Sequence, residues 1–128
     1  MALILEISEI VKGSGTKQTK LLSEILLNMK EFKSRRAYSE YAPCLDFGNP
    51  ASRHAISETL YDLWHYCQKI DIPLLNMLVV LKDKGLPSIG VEKWYNQHFN
   101  TLNKYNEYCD LHARLAEFVL QNEIVVLK

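Results

Sequence analysis

Three features of this sequence predict a mostly helical α+β fold with a small antiparallel sheet. Residues 49–70, NPASRHAISETLYDLWHYCQKI, agree in start, period and length with one long helix. They run into IPLLNMLVVLKDKGLPSIG, an apolar stretch closed by a Lys-Asp-Lys-Gly turn, which is the pattern of a strand and a hairpin bend. The chain closes on Glu123-Ile124-Val125-Val126-Leu127, a further strand expected to join that hairpin.

The long helix is the most strongly encoded element. Asn49 is a favoured N-cap, and Pro50 suits the first helical position, where the missing N–H would have had no partner anyway. Ile56, Leu60, Leu63, Cys67 and Ile70 then repeat at alternating intervals of four and three, and Trp64 widens the stripe. Leu75 to Leu81 is read as a strand because Pro73 disfavours helix at Ile72 and the Val79-Val80 pair prefers extended backbone.

The other elements follow from period and punctuation. Residues 3–11 fit a helix through Leu3, Ile7, Ile10 and Val11, and equally a strand through Leu3, Leu5 and Ile7. Leu21, Leu22, Ile25, Leu26 and Met29 mark a helix running to about Phe32. Ser34 is placed to cap a short helix through Tyr38, Tyr41 and Ala42, which Pro43 limits. Val91 to Phe99 reads as a short amphipathic helix, and Leu102, Tyr105, Cys109, His112, Leu115, Ala116 and Val119 as the inner stripe of a longer one. At 128 residues without a repeat or a long linker, the chain is expected to form a single domain over 1–128.

Composition narrows the function. The 48% hydrophobic and 23% charged content is globular, so neither disorder nor an all-surface coiled coil is indicated. The apolar start MALILEISEIV lacks a basic lead and a cleavage site, and no apolar run approaches the roughly 20 residues of a membrane span. A cytoplasmic protein with no membrane partner is expected. Cys44, Cys67 and Cys109 are widely spaced and form no CxxC pair, so each reads as a small core hydrophobe. Formal net charge is zero, but Lys12, Lys17, Lys20, Lys30, Lys33, Arg35 and Arg36 crowd a region whose acidic residues are Glu24 and Glu31.

Catalytic and metal chemistry find little support. The histidines His54, His65, His98 and His112 include no His-x₃-His pair, and Cys67 would point about 160° away from His65 on a helix. Gly13-Ser14-Gly15-Thr16-Lys17 lacks the spacing of a phosphate loop, and no Gly-x-Ser-x-Gly elbow occurs. No cofactor, metal or catalytic residue is assigned, and the chain is expected not to be an enzyme.

A short helix, a turn, a long helix, a strand and a tight turn in that order describe a winged helix-turn-helix with its core over 34–91. Within it, AYSEYA, FGNPASRHAISETL and IPLLNMLVVLKDKGLPSIG carry a family likeness. Tyr38, Glu40 and Ala42 fall on a Thr-Tyr-Gly-Glu-x-Ala helix start, Gly48, Asn49 and Pro50 on a Gly-Asn-Pro turn, and Ala55 with Ile56 on an Arg-Ala-Val-Gly helix motif. Over about 55 of the 128 residues the chain thus resembles the DNA-binding winged-helix domain of the O6-alkylguanine DNA alkyltransferases and their catalytically silent alkyltransferase-like relatives. His54 stands where that family has its base-displacing arginine, with Arg53 one place earlier, and Ser57 replaces its glycine. Pro73-Leu74-Leu75-Asn76-Met77-Leu78 replaces the Pro-Cys-His-Arg segment, so the resemblance implies binding without alkyl transfer. The phrase from Pro73 to Tyr95 is also similar to short uncharacterised prokaryotic and phage proteins.

Two functions are therefore expected in competition. In the first, a non-catalytic winged helix of a prokaryote or phage binds DNA or RNA. Arg53 and His54 enter a groove, Tyr38 meets a phosphate or base, Lys82 and Lys84 act from the wing, and Lys12, Lys17, Lys20, Lys33, Arg35 and Arg36 hold the backbone. In the second, the scaffold binds a protein, for example as a phage-borne inhibitor of a host defence complex or as an immunity protein. Trp94, Tyr95 and Tyr61 are its interface candidates, because exposed aromatics anchor protein interfaces.

Overall fold

A computed structural model of the protein describes residues 3–11, 16–46, 48–82, 85–87, 92, 93, 95–97 and 104–127. Its elements run β1 (Leu3–Glu6), α1 (Ile7–Ile10), α2 (Thr16–Phe32), β2 (Arg36–Ala37), α3 (Tyr38–Tyr41), α4 (Pro50–Lys69), a 3-10 helix (Leu75–Leu78), β3 (Val79–Val80), α5 (Tyr105–Val119) and β4 (Ile124–Leu127). The architecture is α+β and mostly helical. Residues 92, 93 and 95–97 are helical too, within the stretch where a short helix was expected.

The long helix α4 forms as its sequence demands. The Asn49 side chain accepts the Ala51 N–H at 2.9 Å, Pro50 opens the first turn, and Ile56, Leu60, Leu63, Trp64 and Cys67 are buried. With 20 residues it is the longest element described. It ends on a Schellman pattern: Asp71 N–H donates to Gln68 and Ile72 N–H to Cys67, with Asp71 in the left-handed region at φ 56°. Ile70, counted into the apolar stripe from its spacing, lies at this cap and is 39% exposed. Against α4 pack α2, whose Leu22, Ile25, Leu26 and Met29 are buried, and the 3-10 helix, which also packs on α5.

The sheet differs from expectation. Among the described residues it is two separate parallel pairs, β1 with β4 and β2 with β3, with no antiparallel ladder. The ambiguous residues 3–11 divide between both readings, strand to Glu6 and helix from Ile7. The terminal strand joins β1 in the register Leu3 to Ile124 and does not pair with Val79 and Val80. Of the strand expected over 75–81, Val79 and Val80 alone are in a ladder, while Leu75–Leu78 coil into the 3-10 helix. The cause is burial on all sides: Leu74 to Val80 are each under 7% exposed, and such a run carries no period that separates strand from tight helix. A turn does follow, with Leu81 N–H donating to Leu86 at 2.7 Å and Gly85 N–H to Leu81 at 2.9 Å. Gly85 sits there at φ +64°, which a side chain would resist.

Smaller corrections share one origin, tertiary contact overriding local pattern. Ala37, not Ser34, precedes α3, and Glu40 reaches back to the Ala37 N–H at 3.2 Å, while the Ser34 carbonyl accepts the Tyr41 hydroxyl at 2.6 Å. Cys44 is exposed, whereas Cys67 and Cys109 are buried as expected. On α5 the buried residues are Tyr105, Cys109, Ala113 and Ala116, so Leu115, assigned to the inner stripe, faces out at 43% exposure.

Replacing Leu60, 3% exposed in the middle of α4, with Asp places an unpaired charge in the core. The cost of several kcal/mol, against a total of about 5–15, should abolish the cooperative melt. Alkaline pH tests the same packing. Burial pushes the thiols of Cys67 and Cys109 up to about 12 and 11, against an ordinary value of 9.0. The unfolded chain ionises first, so the stability these groups confer is complete below pH 9 and is lost as pH rises from there toward 12. Thiol titration of the folded protein should count one fast-reacting cysteine, Cys44, and three after unfolding.

Candidate nucleic-acid interface

The pairing of β2 with β3 creates the site. In a parallel pair both chains leave at the same end, so the residues after Ala37 and after Val80, which are register partners, emerge side by side. Tyr38 and Ser39 lie on one exit and Leu81 and Lys82 on the other. The flank of α4 that carries Arg53, Ile56 and Ser57 completes a cleft of about 320 Å³. This is within the size range of small-ligand pockets, and its walls are mainly apolar with polar groups at the rim.

Three of the residues expected to contact nucleic acid thus share one cleft: Tyr38, Arg53 and Lys82. Tyr38 is half-buried, while Arg53 and Lys82 are exposed and have no ion pair among the described residues. His54 points elsewhere on the same turn: it is 74% exposed and its Nε2 stands 3.0 Å from Glu58 Oε1. Lys84 lies outside the described residues.

Arg35 and Arg36 are engaged within the fold. Arg35 Nη1 donates to Asp110 at 2.9 Å and its Nε lies 3.3 Å from Glu117, which ties the chain before β2 to α5. The Asp110 carboxyl is held below its ordinary range, first by the Arg35 hydrogen bond and then by Arg114. Arg36 pairs with Glu40 at 3.3 Å and stacks over the Phe32 ring at 4.4 Å. Both arginines are structural ties before they are cations offered to a ligand.

The aromatic candidates for a protein interface also change place. Tyr95 is 4% exposed, packed between Tyr105 and Tyr108 at 5.3 and 4.9 Å, so it belongs to the core and not to a surface. Tyr61 is half-buried and stacks parallel to Trp64 with ring centres 6.3 Å apart. Trp94 lies outside the described residues. Among the described residues, exposed large apolar side chains share one helix face on α5, where Leu111, Leu115 and Phe118 are 55%, 43% and 74% exposed. Their four-then-three spacing was readable, but a helix apolar on two sides does not say which side turns inward.

Among the described residues no cluster of three or more His, Cys, Asp or Glu is placed to hold a metal. Among the same residues no helix is long and apolar enough to cross a membrane. No protein-family model matches the chain, nor does any curated protein or solved structure.

Arg35→Ala should lower the melting temperature measurably, and by less at high salt, because it cuts the tie from β2 to α5. Arg53→Ala, with no ion pair to lose, should leave the melt unchanged in the same calorimetric scan.

Proposed function

We propose that the chain is a non-catalytic nucleic-acid-binding protein of winged helix-turn-helix type, with α3 and α4 as the two helices and the turn from Leu81 to Leu86 as the wing. The observation that carries this is the convergence of Tyr38, Arg53 and Lys82, from three separate segments, on one cleft beside the exposed first turns of α4. A recognition helix meets a groove with its N-terminal residues, and its free N–H groups favour phosphate there. Arg53 is the groove residue, His54 contacts the edge of the same groove, and Lys82 meets the backbone beside it.

The likeness to the alkyltransferase-like proteins supports the same reading at Tyr38 and at the start of α4, where His54 takes the place of the family's arginine and Arg53 stands one place earlier. The segment from Pro73 to Leu78 offers no thiol, and Cys67 and Cys109 are buried, so the cleft binds and does not accept an alkyl group. Arg35 and Arg36 are not needed as backbone contacts in this account. A prokaryotic or phage origin, and a cytoplasmic site of action, belong to the proposal as well.

A protein-binding role is the second reading, and the face of α5 favours it. Leu111, Leu115 and Phe118 form an apolar line that a partner helix can cover, as an inhibitor or immunity protein requires.

Fluorescence anisotropy on mixed-sequence oligonucleotides separates the two. Arg53→Ala/Lys82→Ala should weaken binding, by about 1–3 kcal/mol for each base that is no longer read, with an unchanged melt. If the parent protein binds no nucleic acid at low salt, the nucleic-acid reading is wrong and the α5 face becomes the functional surface.

A further inference from the structure

A second cleft, of about 730 Å³, lies on the other flank of the same first turns of α4. Lys17 and Lys20 of α2 line it opposite Asn49, Ala51 and Ser52 of α4. Gln18, between these lysines, donates to Asp62 of α4 at 3.1 Å, so the start of α2 is pinned to α4 and the lysines are held at a fixed place beside it. Both lysines are exposed, and neither has an ion pair among the described residues. Two carboxylates share the cleft, Glu24 and Glu58, the second 3.0 Å from His54 Nε2, and among the described residues neither forms an ion pair with Lys17 or Lys20.

The first turns of α4 are therefore a ridge with unpaired cations on both sides, Arg53 and Lys82 on one and Lys17 and Lys20 on the other. A groove in a duplex has two phosphate walls, whereas a single strand offers one line of charge. We infer that the partner is double-stranded, and that Lys17 and Lys20 of α2, outside the winged-helix core, contact its second backbone while α4 occupies the groove. This rests on the reading of the first cleft as a nucleic-acid face and extends the interface beyond it.

The test follows binding of a labelled mixed-sequence duplex, and of one of its strands, across a salt series. The parent should bind the duplex at least about tenfold tighter than the strand. Each phosphate neutralised adds about 0.9 to the slope of log affinity against log salt, so Lys17→Ala/Lys20→Ala should flatten the duplex slope by about two. Lys17→Gln/Lys20→Gln, which keeps the side-chain length, should do the same, and Lys30→Ala/Lys69→Ala should keep the parent slope. Parent-like slopes in both Lys17/Lys20 variants, when Arg53→Ala/Lys82→Ala does weaken binding, overturn the second wall and leave the proposed function standing. Equal or tighter binding of the single strand overturns the duplex. Absence of any binding by the parent overturns both.

Discussion

The fold depends on burying Leu74 to Val80, a segment enclosed on every side. Its 3-10 helix packs against both α4 and α5, and Asn76 is its one polar side chain. A backbone so enclosed must find hydrogen-bond partners within the protein. The 3-10 helix satisfies its first half, with Met77 N–H donating to Leu74 at 3.1 Å. The second half borrows β2, so that Arg36 and Ala37 become a strand because Val79 and Val80 need one.

That requirement also produces the cleft. Pairing the two short strands in parallel brings the start of α3 beside the start of the 81–86 turn, and α4 is the longest part of the connection between them, with α3 before it and the 3-10 helix after. The helix that fills the core with Ile56, Leu60, Leu63 and Trp64 therefore presents Arg53 and Ser57 to the cleft from its first turns. Core and candidate interface are two faces of one helix. Arg35, clamped to Asp110 and Glu117, holds α5 to the same strand from the far side.

What the sequence made legible was local. Asn49 with Pro50, and the stripe from Ile56 to Cys67, are signals that act within a few residues, and they define α4 correctly. Of the candidate cleft, three lining residues were legible: Tyr38 opens α3, Arg53 lies in the first turn of α4 and Lys82 follows β3. The parallel pairing was not, because two residues at 36–37 carry no period and their partner is about 43 positions away. The 3-10 helix was not legible because a run apolar but for Asn76 has no alternation to read. Tyr95 was misplaced because its burial is set by Tyr105 and Tyr108 of another helix. The four-three spacing of Leu111, Leu115 and Phe118 was present but could not be assigned to the surface until α5 was seen to bury Tyr105, Cys109, Ala113 and Ala116 instead.

In the proposed function the exits of β2 and β3, with the first turns of α4, form the binding surface. Backbone amide shifts followed while unlabelled duplex DNA is added report that surface residue by residue. Perturbation should concentrate at Tyr38, Ser39, Arg53, Ser57, Leu81 and Lys82, and at Lys17 and Lys20 on the other flank of α4, with Leu111, Leu115 and Phe118 unmoved. Shifts confined to α5, or none at any residue of the cleft at saturating duplex, would contradict it.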